Sequence, residues 1–328
     1  VAINMTPPDA GAKVPEMTAS PRNSANRPRR FSLAGRDIEV PDAAPGLHIV
    51  ATPIGNLGDI TLRALETLAG VDAIACEDTR VTRKLLDRYV ITTPLTPYHD
   101  HNAEQARPAL LRRLGEGASI ALVSDAGTPL VSDPGFKLVR AAHEAGYPVT
   151  ALPGASATLA ALTTAGLPTD QFFFAGFLPP KPGARRTRIA ELARIPATLV
   201  LFETGPRLAA TLADLNAGLG PREAAICREL TKLHEEVRRG DLASLAENSP
   251  DSESRGEIVL VVGPPRATTQ PSASETDTLL RAAMARVSLK DAVGEVAEVT
   301  GMPRRELYQR ALELSKEANH ASDFATPR

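Results

Sequence analysis

Short apolar runs alternate with helical repeats of Leu and Ala along most of this chain, and the alternation begins at Leu47. Leu47 to Ala51 has the length of a strand, and Leu62, Leu65, Leu68 and Ala69 then recur on one helical face that Gly70 closes. Val71 to Cys76 predicts the next strand, Thr79 to Tyr89 and Ala103 to Leu114 predict helices, and Ser119 to Val123 predicts another strand. Phe136 to Ala145 is helical up to Gly146, and Val149 to Leu152 is a strand followed by a helix reaching about Ala165. Alternation of this kind points to a mainly parallel sheet covered by helices. Around Pro168 the pattern restarts. Phe172 to Phe177, Thr198 to Phe202, Ala224 to Cys227 and Ile258 to Val262 are strand-like, Arg185 to Arg194 is helical, and this second α/β unit ends near Pro265.

The flanks carry a different pattern. Residues 1–45 hold many Pro, Ala, Ser and Asn, with Arg22, Arg27, Arg29, Arg30 and Arg36 among them. Such a stretch is expected to be a disordered basic tail, or an accessory arm for RNA. The expected order is therefore tail 1–45, N-terminal α/β domain 46–168, C-terminal α/β domain 169–265, polar linker 266–277, helical appendage 278–316 and a tail 317–328. In the appendage, Leu289, Val293, Val296 and Val299 mark one apolar face, and Leu307, Ala311 and Leu314 mark a second. Ser288 caps the first helix, Gly301 sits in the turn, and Arg304, Arg305 and Arg310 put positive charge on the second helix. This helix-turn-helix either packs and dimerises or touches nucleic acid.

Composition narrows the classes. The chain has 328 residues, 43% hydrophobic and 23% charged, which is ample core material for about two domains. Aromatic residues are only 4% and Trp is absent, so the core must be aliphatic. A net charge of −2 leaves any nucleic-acid contact to local patches. Cys76 and Cys227 stand far apart as small reduced apolar residues, and the His99/His101 pair near Asp100 makes no metal site. No apolar run approaches a membrane span and no signal-peptide stretch opens the chain, so a cytoplasmic location is expected.

The chemistry-bearing residues share one placement. Thr52–Thr61 (TPIGNLGDIT), Cys76–Arg80 (CEDTR), Ser124–Gly135 (SDAGTPLVSDPG), Pro153–Ala157 (PGASA) and Leu201–Arg207 (LFETGPR) each follow an apolar strand. They mix small residues with acids or hydroxyls, and together they would build one crevice at the strand ends, where parallel sheets bind ligands. Neither G-x-G-x-x-G nor G-x-x-x-x-G-K-[ST] occurs, which argues against dinucleotide binding and against a nucleoside triphosphatase.

Taken with FAGFLPPK (174–181), CRELTK (227–232) and GEIVLVV (256–262), these segments resemble the ribosomal small subunit methyltransferase I group of the tetrapyrrole methylase superfamily. The resemblance runs from about Leu47 to Pro264, and the C-terminal helix-turn-helix also fits it. It implies two α/β domains with S-adenosylmethionine in the cleft between them, a homodimer, and methylation of the ribose 2′-hydroxyl of a 16S rRNA cytidine near the decoding centre, in the 30S subunit. Donor contacts are implied for Pro53, Gly55, Asp125, Gly127, Thr128, Pro129, Val131, Pro153, Gly154, Ser156, Ala157, Phe177 and Ile258. One departure stands out: relatives commonly show FYESPHR where this chain has Leu201–Arg207, so the Tyr hydroxyl and the His are replaced by Phe202 and Pro206.

A ribose hydroxyl is a poor nucleophile and benefits from a positioned base. Glu77, Asp78, Glu203, Glu229 and Lys232 are the candidates, Lys232 only if cationic neighbours depress its pKa. As an alternative, Glu229 and Lys232 form a surface ion pair. Arg80, Arg83, Lys84, Arg185, Arg186, Arg207, Arg304 and Arg305 are the expected RNA-facing charges, and no metal is expected. Two rival functions remain at this level: a small-molecule, tetrapyrrole-type methyltransferase, and a ligand-sensing DNA-binding regulator.

Overall fold

The computed structural model describes residues 29–133, 135–248, 256–265 and 272–323, with side chains described up to residue 317. Its elements, in chain order, begin with a hairpin of β1 (Arg30–Leu33) and β2 (Arg36–Glu39). The first α/β unit follows: β3 (Gly46–Val50), α1 (Leu62–Gly70), β4 (Ala73–Cys76), α2 (Thr79–Arg88), β5 (Leu95–Pro97), α3 (Ala103–Gly115), β6 (Ser119–Val123), α4 (Phe136–Glu144), β7 (Val149–Leu152) and α5 (Ala157–Ala165). The second unit has β8 (Phe172–Phe177), α6 (Pro182–Leu192), β9 (Thr198–Thr204), α7 (Gly205–Leu219), β10 (Glu223–Arg228), β11 (Glu236–Asp241), α8 (Leu242–Glu247) and β12 (Glu257–Val262). Helices α9 (Ala273–Met284), α10 (Leu289–Thr300) and α11 (Arg304–Asp323) complete the described chain.

The first sheet has the order β5-β4-β6-β3-β7 and every pairing in it is parallel. Strands β3, β4 and β6 are buried along their whole length, as strands covered by helices on both faces must be. Because all five run the same way, the segments after β3, β4, β6 and β7 emerge at one edge. The second sheet, β11-β10-β12-β9-β8, is mixed: only β8 and β9 are parallel, and β9, β12, β10 and β11 form antiparallel neighbours.

Several features depart from the expected domain plan. Helix α5, assigned by sequence to the first domain, lays Ala161, Leu162 and Ala165 against Val200, Ala225, Cys227, Val259 and Val261 of the second sheet. One face of that sheet is therefore covered from the N-terminal side, while α6, α7 and α8 cover the other around Leu201, Leu212, Leu245 and Leu260. The expected tail is also shorter. Residues 30–39 form the hairpin, Phe31 is 1% exposed and packs with the core of the first domain, and residues 1–28 lie outside the described residues. A single buried Phe was too weak a pattern to mark this hairpin from sequence.

At the other end, Ser272 caps α9 in a full capping box with Glu275, so the helical appendage begins within the segment expected to be linker. Helix α11 continues to Asp323, into the expected tail. Ser288 caps α10 and Gly301 takes a left-handed conformation at its end, as the sequence implied. The three helices close on Leu280, Ala283, Val293, Val296, Leu307 and Leu314. Among the described residues no helix is long and apolar enough to cross a membrane.

Asp72 ties the hairpin segment to the sheet. Its carboxylate accepts from the Ser119 amide (2.8 Å), the Ser119 hydroxyl (2.9 Å) and the Arg29 guanidinium (2.7 Å). Burial opposes the charge, but the Ser119 and Arg29 donors win and hold the carboxyl below its ordinary value. A carboxyl depressed in the folded state stabilises fully above its unfolded pKa, and the contribution fades as pH falls through the folded value. Asp72→Asn is therefore expected to cost about 1–3 kcal/mol at pH 7 in urea unfolding. The gap to wild type should narrow below about pH 4, and a gap that is constant with pH would refute the assignment.

Candidate active site

A cavity of about 240 Å³ lies between the two sheets, walled by the loops after β3, β6 and β7 on one side and by β9, β10 and β12 on the other. A reciprocal backbone pair draws the first loops together: Thr52 N–H donates to Gly127 O (2.9 Å) and Gly127 N–H to Thr52 O (3.0 Å). Gly127 has φ +78°, and a Cβ there would stand 3.3 Å from Ile54 Cγ2, so this position favours glycine twice over. Thr128 Oγ1 then donates to Ala155 O (3.2 Å), joining the β6 loop to the β7 loop.

The second domain reaches across the same edge. Asn56 N–H donates to Thr231 Oγ1 (3.1 Å), and the Lys232 stem lies where a Cβ on Gly55 would fall, 2.5 Å from Lys232 Cγ. Four non-glycine residues with positive φ sit in the two loops involved: Leu130, Ser132, Glu229 and Thr231. Such backbone is costly and persists where surrounding contacts fix it, typically at ligand clamps.

Of the expected donor contacts, Gly127, Thr128, Val131, Ser156, Ala157, Phe177 and Ile258 line the cavity. Pro53, Gly55, Asp125, Pro129, Pro153 and Gly154 lie outside its lining. Gly55 and Gly154 set the spacing of the loops instead, since a Cβ on Gly154 would stand 2.9 Å from Ala51 Cβ. Sequence reasoning missed Thr158, Asp133, Leu230 and Glu257 as lining residues, and took Cys227 for core alone. Phe202 is a cavity wall and the centre of an aromatic cluster, with Phe174 at 5.0 Å and Phe177 at 5.6 Å between ring centroids.

The structure corrects several expected bases. Lys232 donates to Glu229 Oε1 (3.0 Å) and Glu257 Oε2 (3.1 Å), and although burial opposes its charge, these two carboxylates push its pKa up. Its neighbours are anions rather than the cations that would have freed it as a base. Glu229 also accepts the Glu257 amide (3.0 Å); burial works against its charge, but that amide and Lys232 hold its carboxyl down. Glu203 is 2% exposed with both oxygens engaged, by the Thr204 amide (2.8 Å), the Thr211 hydroxyl (2.6 Å) and Arg207 (3.2 Å). Asp78 caps α2 and pairs with Arg80, which lowers its carboxyl to about 2.

Glu77 lies away from the cavity lining. Burial comes first among the causes that raise its carboxyl, followed by Asp125, Asp133 and Asp100. Asp125 is itself raised by burial and accepts the Asp78 amide (3.0 Å). Cys227 is buried at the cavity wall, and desolvation pushes its thiol up to about 11, so it stays an inert thiol.

The expected RNA-facing cations divide. Arg83, Lys84, Arg304 and Arg305 are exposed, the last two lining an open groove with Lys290 and Tyr308. Arg80 and Arg186 are exposed but paired with Asp78 and Asp214. Arg185 is a correction, being 5% exposed and bonded to the same Asp214. Arg207 is another, holding Glu203 and donating to Leu178 O (2.6 Å). Arg310 is likewise engaged by Asp277 and Glu313. Among the described residues no cluster suited to a metal ion occurs.

Comparison with known proteins fits this geometry. Residues 46–246 match the family described as tetrapyrrole (corrin/porphyrin) methylases, and residues 270–315 match the RsmI C-terminal HTH domain. The chain is 53% identical over 272 residues to the ribosomal RNA small subunit methyltransferase I of Mesorhizobium japonicum, covering 82% of this chain and 92% of that protein. The chain belongs to the tetrapyrrole methylase family. It is a methyltransferase. The proteins of the same name from Synechocystis and Escherichia coli O157:H7 are 48% and 44% identical, covering 82% and 81% of this chain and 98% and 94% of theirs. Among solved structures the fold is shared with the methyltransferase CobJ (TM-score 0.52, 20% identity, 69% of this chain and 96% of that one). It is shared also with a diphthine synthase (TM-score 0.51, 17% identity, 66% and 89%).

Within this methylase Glu203 is an anchor for the cavity wall. Glu203→Ala leaves the Thr211 hydroxyl and the Thr204 amide without their acceptor and Arg207 without its ion-pair partner, and should lower stability by at least about 2 kcal/mol in chemical unfolding. A variant as stable as wild type would show that the anchor is dispensable.

Proposed function

We propose that this methylase transfers the methyl group of S-adenosylmethionine to the ribose 2′-hydroxyl of a cytidine in 16S rRNA near the decoding centre, acting on the 30S subunit. The observation that carries the reading is the 53% identity to a ribosomal RNA small subunit methyltransferase I, which extends over both α/β domains and the appendage.

The cavity suits a donor with an apolar face and a polar end. Thr158 Oγ1 is buried against its wall, in a residue 6% exposed, and has no partner among the described residues. An unpaired buried hydroxyl is costly, and a ligand that bonds it removes the cost. Ser156 makes no side-chain cap at the start of α5, so first-turn amides remain for an anionic group such as a carboxylate. Ile54, Val131, Phe177, Phe202 and Ile258 offer an apolar wall for an adenine ring. When bound, S-adenosylmethionine supplies a sulfonium-activated methyl group.

The chain's own residues then position and hold. Thr52, Gly127 and Thr128 keep the loop edge closed, and Glu203 fixes the strand end that carries Phe202 and Thr204. In-line transfer depends on the attacking oxygen being placed against the methyl carbon, so this rigidity is itself catalytic. Arg83 and Lys84, with Arg304, Arg305 and the exposed guanidinium groups of Arg80 and Arg186, present the cations that would meet RNA phosphate. The enzyme works as a homodimer in the cytoplasm in this reading.

The test is transfer from methyl-labelled S-adenosylmethionine to 30S subunits purified from a strain lacking the gene, with the label mapped by nuclease digestion. Label on a ribose 2′-oxygen of one 16S cytidine is the expected result. Measurable donor binding with no label on subunits or free rRNA would move the substrate to a small molecule.

A further inference from the structure

The three appendage helices enclose a core of their own around Leu280, Val293, Val296, Leu307 and Leu314, and outside it α10 and α11 leave an open groove. Lys290, Gly294 and Glu298 follow one another at four-residue intervals along its α10 side, and Arg304, Arg305 and Tyr308 line it from the first turns of α11. Arg281, Arg286 and Arg310 of the same helices pair with Glu317, Glu295 and Asp277. Lys290, Arg304 and Arg305 have no ion-pair partner among the described residues. Of the three acids in the lining, Asp291 accepts from the Ser288 hydroxyl (2.6 Å) and Glu295 from Arg286 (3.3 Å), which leaves Glu298 against three cations.

Two local preferences are broken on the walls of this groove. Gly294 lies in the middle of α10, where glycine is the weakest helix former after proline. Packing supplies no reason for it. A Cβ there would meet nothing within 4 Å, whereas one on Gly218 inside α7 would stand 2.5 Å from Ile189 Cγ2. Arg304 and Arg305 open α11, and cations at a helix start oppose its dipole. Departures from local preference that the chain's own packing does not explain mark functional positions. Here both converge on one surface: a flat floor at Gly294 that admits close approach, cations along the wall, and the half-exposed ring of Tyr308 one turn beyond Arg304 and Arg305.

Resting on the rRNA methyltransferase reading, we propose that this groove binds a single strand of 16S rRNA apart from the methylated nucleotide. The strand's phosphates lie on Lys290, Arg304 and Arg305, its backbone passes over Gly294, and an unpaired base stacks on the Tyr308 ring. The volume of the groove, about 710 Å³, is of the size that holds a small ligand such as a nucleotide. Guanidinium forks and an aromatic face are the groups that grip phosphate and unpaired bases. The donor cavity takes its whole lining from the two α/β domains, so the groove is a separate site. It sets affinity for the acceptor and leaves donor binding alone.

The experiment measures the affinity of the full-length protein for unmethylated 30S subunits across salt concentrations. Affinity for S-adenosylhomocysteine, the thermal unfolding midpoint and the oligomeric state are recorded alongside. Two variants are compared with wild type: Gly294→Gln, which fills the floor with a better helix former, and the double variant Arg304→Gln/Arg305→Gln. Each should hold the subunit about tenfold or more weakly, with product affinity within about twofold and an unfolding midpoint no lower than wild type. The double variant should also lose about 1.4 from the slope of log affinity against log salt, as two strand phosphates require. If Gly294→Gln lowers the midpoint, the double variant, which alters two exposed side chains, decides alone. Subunit affinity equal to wild type in a folded variant would overturn the groove and leave the reading standing. An unchanged salt slope in the double variant, which would seat a protein there, or a loss that tracks a change in oligomeric state would do the same. Wild-type protein that binds the product but neither holds nor labels subunits would bring down the reading and the proposal with it.

Discussion

The two hydrogen bonds exchanged between Thr52 and Gly127 are the constraint on which the cleft depends. A parallel sheet brings loops to one edge but does not join them, and this pair closes the β3 loop onto the β6 loop. Gly127 can serve because its φ of +78° is open to glycine, and the tight approach of Ile54 leaves little space for a side chain. Once the pair is made, Thr128 reaches Ala155 and Ile54 faces the second sheet, so three strand ends share one wall. The opposite wall follows because α5 starts at this edge and packs on β10 and β12. The cavity is thus a product of the way the two domains share a helix.

Charge at the cleft is arranged by pairing rather than by excess. Lys232, which resembled a nucleophile-activating lysine in sequence, is locked by Glu229 and Glu257 over Gly55 and acts as a strut between domains. Glu203 is a strut of the same kind within the second domain. Both groups are held by their partners in fixed positions. Three carboxyls in the segments after β4 and β6 have the opposite bias, since burial raises Glu77, Asp125 and Asp133, whereas neighbouring Asp78 is held down by Arg80.

Much of the first domain was legible because its strands are continuous apolar runs and its helices carry a plain leucine repeat. Strand β5, three residues long and ending in Pro97, carried too little pattern to be read. Strand β11 was hidden for another reason: as an edge strand with Arg238, Arg239 and Asp241, it has almost no apolar alternation. The cleft-facing loops were visible as clusters of Gly, Pro, Ser, Thr and Asp after strands. Which of those residues meet the cavity was not, because Pro153 and Gly154 differ from Ser156 and Ala157 only in how the loop turns. Thr158 gave no signal, since a threonine inside a helix is ordinary until its hydroxyl is seen to lack a partner. Pairing was equally invisible, so buried Arg185 looked like exposed Arg186.

The cavity between the sheets as the donor site is the central claim, and a crystal structure of the protein with S-adenosylhomocysteine tests it most directly. The ligand should lie between the Gly127–Thr128 backbone and Ile258, with one of its polar atoms within hydrogen-bond distance of Thr158 Oγ1. A ligand bound elsewhere, or one seated in the cavity with the Thr158 hydroxyl still unpartnered, would contradict the account.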